Sequence, residues 1–407
     1  MNNLNSGDTA LVLISAALVA LMTPGLAFFY GGLVRRKNVL SIMMQSFISM
    51  GIVTILWVLV GFSLSFSGDN WGIIGNFQYL FLSGVGFTPS PTYGPTIPFL
   101  AFFLFQEMFA IITPALITGA FADRVNFKSY LIFLVLWSVL VYIPFTHWVW
   151  GGGFLARLGV VDFAGGIVVH VSAGFAALAS VFVVGKRVMV PGEKSGPHNI
   201  AFVALGTGLL WFGWFGFNGG SALAANGVAA IAFVNTDIAG SVAMVTWLLI
   251  SWARDGKPSM TGALTGAVAG LATVTPAAGY VQPWAAAIIG LLASLVCYLA
   301  VQFRMRQDWD DALDVWGVHG VGGALGIVLT GVFASAAVNG VSGLVEGNVN
   351  QFVVQVLAMA ITATYSFLVT LGILKVLNLF EPVRVSAAVE AQGLDEIQLG
   401  ESAYDRA

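Results

Sequence analysis

Apolar residues run through this chain in blocks of about twenty, divided by short polar stretches. A block of that length lets a helix cross a hydrocarbon core of roughly 30 Å. The blocks fall at about 9–33, 39–66, 98–121, 129–149, 161–184, 199–219, 229–252, 259–277, 283–303, 312–333 and 352–379. They predict an all-α polytopic membrane protein of eleven transmembrane helices. Residues 67–96, rich in Gly, Pro and Ser, are expected to form an ordered external cap, and 334–351 a shorter external loop. Residues 1–379 read as one membrane domain, with 380–407 as a cytoplasmic C-terminal tail.

Basic residues orient the blocks. They cluster as Arg35-Arg36-Lys37, Arg124 with Lys128, Lys186-Arg187 with Lys194, Arg254 with Lys257, Arg304 with Arg306, and Lys375, Arg384 and Arg406 at the end. One block precedes the first cluster, and each later gap holds two. The positive-inside rule then places every cluster in the cytoplasm, the N-terminus outside and the C-terminus inside. Arg157 is left alone on the outer side. Helices 1–5 and 6–10 thus enter from opposite sides, as an inverted five-helix repeat does, with helix 11 left over; such folds place their site near the midplane.

Composition narrows the class. Charged residues are 9% of the chain and hydrophobic ones 58%; the formal net charge of −3 says little about partners, because the distribution of charge carries the information, and no nucleic acid is expected among them. The 49 glycines suit close helix packing. The single cysteine, Cys297, lies in an apolar block, so neither a disulfide nor a thiolate metal site is expected within the chain. Met1 to Thr9 carries no basic residue, and no cleavable signal is expected.

Two stretches carry chemistry: Asp162-Phe-Ala-Gly-Gly-Ile-Val-Val-His170 and Asp314-Val-Trp-Gly-Val-His319-Gly. An imidazole inside a membrane span is costly and rarely idle. His170 lies eight residues after Asp162 and His319 eight after Asp311, roughly 12 Å along each helix, so both approach the middle from opposite sides. A neutral pair shares one N–H···N bond and leaves a further N–H and a lone pair for a small polar guest. Asp162 suits an N-cap, with a secondary pull on cations; Asp314 has the same two readings on the inner side. Glu107 is mid-span with no assignable partner, and His147 and His198 read as structural or interfacial. Phe105 and Phe109, Trp148 and Trp150, and the run Trp211 to Ser221 are interfacial anchors singly. Together with the Ser221 hydroxyl they are able to form a cation cage, at roughly 0.5–2 kcal/mol per well-placed ring.

At these residues the chain resembles the family of ammonium transporters, methylammonium permeases and Rh-type proteins, on its bacterial and archaeal Amt branch. The resemblance rests on Met22-Thr-Pro-Gly-Leu-Ala-Phe-Phe-Tyr-Gly-Gly-Leu-Val-Arg35, Trp150-Gly-Gly-Gly, Asp162 through His170, Trp214-Phe-Gly-Phe-Asn, Thr275-Pro-Ala-Ala-Gly and Asp314 through Gly320. It implies a homotrimer in the cytoplasmic (inner) membrane of a prokaryote, with a path through each protomer and no cofactor or metal. Phe105, Trp150, Ser221 and Asp162 would recruit ammonium or methylammonium. Phe109 and Phe217 would form a stacked gate, and His170 and His319 the twin-histidine pore. A PII-type nitrogen-signalling protein would dock beside the tail. The chain departs from the pattern at Val281-Gln-Pro-Trp284 and at Leu399, where the resemblance leads one to expect His. Two other classes compete: an ammonium sensor that signals through a partner, and a membrane metalloenzyme, for which no third ligand can be named.

Overall fold

The structure, a computed structural model, describes residues 3–190, 192 and 196–404. Lys194 and Arg406, counted above among the basic clusters, lie outside the described residues. Those residues are helical with no strand, carrying only isolated bridges such as Val125 to Arg384.

Ten helices are long and apolar enough to cross a membrane. They are α1 (Ser6–Leu33), α2 (Arg36–Phe66), α3 (Phe99–Ile117), α4 (Phe127–Arg157, broken at residues 150–153), α5 (Gly166–Val184), α6 (Ile200–Ala222), α7 (Gly227–Asp255), α9 (Pro283–Arg306), α10 (Trp316–Phe333) and α11 (Val349–Phe380). A shorter apolar helix, α8 (Met260–Val274), stands between α7 and α9. It ends where the apolar block reaches Thr275-Pro276, because proline lacks the N–H and crowds the preceding turn. A short α12 (Ala387–Gln392) lies in the tail.

Most long helices start on a side-chain cap, which matters where no water can serve the free N–H groups. Asn5, Asn126, Asn199, Asn226, Ser259 and Asn348 each accept from the first turn of the helix that follows. Large apolar side chains such as Leu59, Phe212, Leu249, Leu299 and Leu368 stay exposed on the outside of the bundle, as a protein solvated by hydrocarbon requires.

Two glycine pairings set the interior. α1 crosses α6 where Gly206 meets the backbone of Phe29, and a Cβ on Gly206 would lie 2.3 Å from the Phe29 nitrogen. α5 crosses α10 at Gly174 and Gly320, where a Cβ on Gly174 would come 2.1 Å from the Gly320 Cα. Close backbone approach of this kind is what small residues permit between helices in a membrane. Gly174 is four residues past His170, and Gly320 directly follows His319, so this crossing is what brings the histidines together.

Arg35, Arg124, Arg187, Arg304 and Arg384 gather at one end, termed the inner end. Arg124 is fully buried and donates to the carbonyls of Gly185, Ala122, Ala120 and Asp310, closing the ends of three segments at once. Burial draws its guanidinium down to about 10, opposed by Asp310, so it stays charged at neutral pH. Arg187 holds Asp310 through Nε (3.0 Å) and Nη2 (2.8 Å) and also reaches Asp123 at 3.3 Å. Burial alone would raise the Asp310 carboxyl, but Arg187 overrides it and holds the group at about 2.

The tail packs onto this end. Asp395 accepts from the backbone of Leu40 (2.9 Å) and Ser41 (2.7 Å) near the start of α2, and Glu390 pairs with Arg384 at 2.8 Å. His198 joins the carbonyl of Val34 (3.0 Å) to the Tyr404 hydroxyl (2.9 Å). At the opposite end His147 bridges the Ser65 carbonyl (3.0 Å) and Asp69 (2.9 Å), and Asp69 also pairs with Arg157, the isolated basic residue. His147, with Arg157, holds the Asp69 carboxyl below its usual range.

Candidate functional site

The two histidine-bearing helices begin alike. Asp162 precedes α5 and caps it: Oδ1 accepts from Gly165 (2.9 Å) and Gly166 (2.6 Å), and Oδ2 from Ile167 (2.7 Å) and Val168 (3.3 Å). The chain enters through Gly165 at φ +117°, a conformation that L side chains rarely adopt. Asp311 precedes α10 and accepts from Val315 (3.1 Å) and Trp316 (2.8 Å). Asp311 is thus the counterpart of Asp162. Asp314, which the motif alone set beside Asp162, sits at φ +59° and pairs with Arg304.

Each helix opens with a wider π-type turn, Gly166–Val171 in α5 and Trp316–Gly320 in α10, and each turn carries its histidine. Such turns swing a side chain off the regular helical stripe and are frequent at functional sites. Here they point His170 and His319 at one another. Their Nδ1 atoms are 3.2 Å apart and the rings stack 5.2 Å apart at 16°. Both are buried, and among the described residues the Nε2 of His170 has no partner. Two neutral imidazoles joined through Nδ1 divide their remaining valences. The ring that donates keeps a bare Nε2, and the ring that accepts carries Nε2–H. The pair therefore offers a guest one acceptor and one donor.

An aromatic column leads to the pair from the end opposite the basic clusters. Trp150 lies edge-on to Phe109 at 5.8 Å, Phe109 meets Phe217 at 4.4 Å, and Phe217 stacks on His170 at 6.0 Å. Trp214 covers another side of His170 at 5.6 Å, held by its Nε1 bond to Thr275 (2.9 Å). The Trp150 indole is fixed the same way, donating to the Asp162 carbonyl at 2.9 Å. Phe109 and Phe217 thus lie between Trp150 and His170 along the axis of this column.

Three cavities follow that axis. An outer vestibule of about 260 Å³ is lined by Trp150, Ser221, Tyr93 and Gln106 among others. A central cavity of about 10 Å³ lies between Phe217, Leu210, Val268 and the histidines, room for roughly one water-sized molecule. An inner vestibule of about 200 Å³ reaches from His319 past Thr265 and Thr261 to Asp314 and Arg187.

Of the residues singled out from sequence, Trp150 and Ser221 line the outer vestibule, Phe109 and Phe217 pack on each other at 4.4 Å, and Phe217, His170 and His319 border the central cavity. Asp162 lies behind the wall as a helix cap. Phe105 does not line the vestibule: its ring is fully buried behind Phe109 at 5.0 Å, with its edge against Gly220. Glu107 does find a partner, the Thr54 hydroxyl at 2.6 Å on α2. Tyr93, Thr92 and Gln106 in the vestibule wall were not singled out as site residues. Tyr93 comes from the loop between α2 and α3, which folds back so that its hydroxyl donates to the Gly151 carbonyl (3.3 Å), a contact without a local sequence signal.

Comparison with known proteins agrees with this architecture. The profile of the Ammonium Transporter Family matches residues 10–404. An ammonium transporter of Bacillus subtilis is 49% identical over 401 residues, covering 98% of each chain. Among solved structures, Saccharomyces cerevisiae Mep2 superposes with a TM-score of 0.88 at 34% identity, over 95% of this chain and 89% of that one. A structure described as a sensor Amt protein gives a TM-score of 0.89 at 29% identity, over 97% and 98%. The chain is a membrane-spanning member of the ammonium transporter family, a family of transporters rather than enzymes.

Proposed function

We propose that this protein conducts ammonium by capturing NH4+ outside, removing a proton near the phenyl gate and passing neutral NH3 along the histidine pair. The observation that carries this reading is the pinch. A cavity of about 10 Å³ separates vestibules of about 260 and 200 Å³, and its only polar wall atoms of note are the two imidazoles. A bare monovalent ion in such a medium faces an idealised cost on the order of 20 kcal/mol. Ammonia carries no charge, is close to water in size, and both donates and accepts hydrogen bonds. In this reading Trp150 and Ser221 bind the cation, Phe105 and Asp162 support that site from behind, Phe109 and Phe217 gate it, and His170 with His319 carries the guest. The proton crosses separately through imidazoles and water, so net transport is electrogenic.

The same reading places eleven spans in the inner membrane of a prokaryote, α8 with the turn after it completing the count. The N-terminus is outside and the C-terminus inside, the halves 1–5 and 6–10 form an inverted repeat, and the protein is a lipid-embedded homotrimer. The tail holds the inner ends of the helices together and adjoins the surface where a PII-type protein docks. A sensor with little conduction is the second reading, and the likeness to the sensor Amt structure favours it. Ammonium concentration jumps on proteoliposomes separate the two. A saturable current specific to ammonium over K+ is expected; ammonium binding without current above protein-free vesicles would establish the sensor.

A further inference from the structure

The outer vestibule holds one polar group whose bonding is incomplete. Gln106 lies in its wall, is 8% exposed, and its carbonyl Oε1 accepts no hydrogen bond among the described residues. A buried acceptor left in this state is destabilising. The neighbouring polar side chain does not relieve it, because Glu107 turns the other way to accept from Thr54. Phe105 and Phe109 on either side have no donor to offer. Of the hydroxyls in the same wall, those of Tyr93 and Ser221 are already committed to the carbonyls of Gly151 and Phe217, so a donor for this oxygen is left to Thr92 or to what occupies the vestibule. The oxygen is itself enclosed, and because the last torsion of a glutamine is broad and roughly two-fold, a turn of the carboxamide brings it to a guest without moving α3.

We infer that Gln106 is a further ammonium-binding residue, its carbonyl oxygen accepting an N–H of the captured cation. This rests on the reading of the vestibule as the capture site. The aromatic faces attract any small cation without direction. Ser221 directs its own proton to the Phe217 carbonyl (2.8 Å), which frees its oxygen to accept. Gln106 and Ser221 together supply two directed acceptors for an ion with four N–H bonds.

The test compares half-saturation with maximal rate for methylammonium uptake, and its inhibition by ammonium, in Gln106→Met, Gln106→Glu and Trp150→Leu. Gln106→Met keeps the length of the side chain and removes the oxygen. It is expected to raise half-saturation about tenfold, the size of a hydrogen bond to a charged group, with maximal rate nearly unchanged. Gln106→Glu keeps an acceptor and is expected to restore or lower half-saturation, whereas a residue needed only for packing would tolerate a buried carboxylate worse than methionine. Unchanged half-saturation in Gln106→Met beside a raised value in Trp150→Leu overturns the inference and leaves the capture site standing; Gln106 would then serve water. No change in either variant removes the capture site itself. Should Gln106→Met fail to fold, Gln106→Glu decides alone: tighter capture supports the inference and weaker capture contradicts it.

Discussion

The helices α5 and α10 make the same local device and use it differently. Both start from an aspartate eight residues before a histidine, both widen into a π-type turn, and both deliver an imidazole to one 3.2 Å contact. The surroundings diverge. Asp162 serves four backbone N–H groups, and the histidine beyond it is enclosed by Trp214 and Phe217. Asp311 serves two, with the Asp314–Arg304 pair beside it, and His319 borders a vestibule that runs to Arg187. The α5 copy faces a dry, aromatic cavity and the α10 copy a more polar one. In the proposed reading, one motif used twice gives a path whose two ends differ in chemistry.

The caps are where that difference is largest. Asp162→Ala strips four buried donors of their acceptor and is expected to cost roughly 3 kcal/mol or more. Asp311→Ala strips two and is expected to cost about 1–2 kcal/mol. Thermal unfolding in detergent should rank Asp162→Ala well below Asp311→Ala, with transport lost in the first. Equal midpoints would mean that the two starts are energetically alike.

The vestibules differ next. Trp150→Leu removes the strongest cation–π surface and is expected to raise half-saturation for ammonium about tenfold, with the rate at saturation less affected. Asp314→Asn at the inner mouth should leave external capture within about twofold, since Asp314 lines the vestibule at the opposite end of the axis from Trp150. A larger loss from Asp314→Asn than from Trp150→Leu would reverse the assignment of the two ends.

Much of this was legible in the chain. The apolar blocks located the helices because hydrocarbon admits only helices and closed barrels, and continuous blocks of about twenty residues fit the helix; the histidines stood out because buried imidazoles in such blocks are rare. The register of the caps was less legible. The motif sets Asp314 beside Asp162 while the eight-residue spacing to the histidine points to Asp311, and the bonds from Val315 and Trp316 decide for Asp311 as the cap. The outer wall was least legible: Tyr93 reaches it through a loop that folds back, and Phe105 leaves it by packing on Gly220. The contacts of Asp395 with Leu40 and Ser41 join residues far apart in the chain, beyond the reach of local pattern.

The smallest effect concerns the tail. Burial lowers the pKa of His198 from its ordinary value, and the ring bridges the Val34 carbonyl and the Tyr404 hydroxyl. A histidine with a depressed folded-state pKa contributes fully above its unfolded value of about 6.5 and loses that contribution as pH falls through this value toward the folded one. Amide protection factors in residues 396–404, corrected for the intrinsic exchange rate at each pH, should therefore fall modestly between pH 7.5 and 5.5, and less so in Tyr404→Phe, where the bridge is already broken. Protection factors independent of pH would show that the bridge does not hold the tail.

The central claim is that the path runs through the paired imidazoles where α5 and α10 cross. Ammonium-jump currents in proteoliposomes carrying His170→Leu with His319→Leu test it most directly, since leucine keeps the bulk and removes both polar groups. The account predicts ammonium-specific current reduced to the level of protein-free vesicles at equal folded protein. Full ammonium-specific current in the folded double variant would place the path elsewhere.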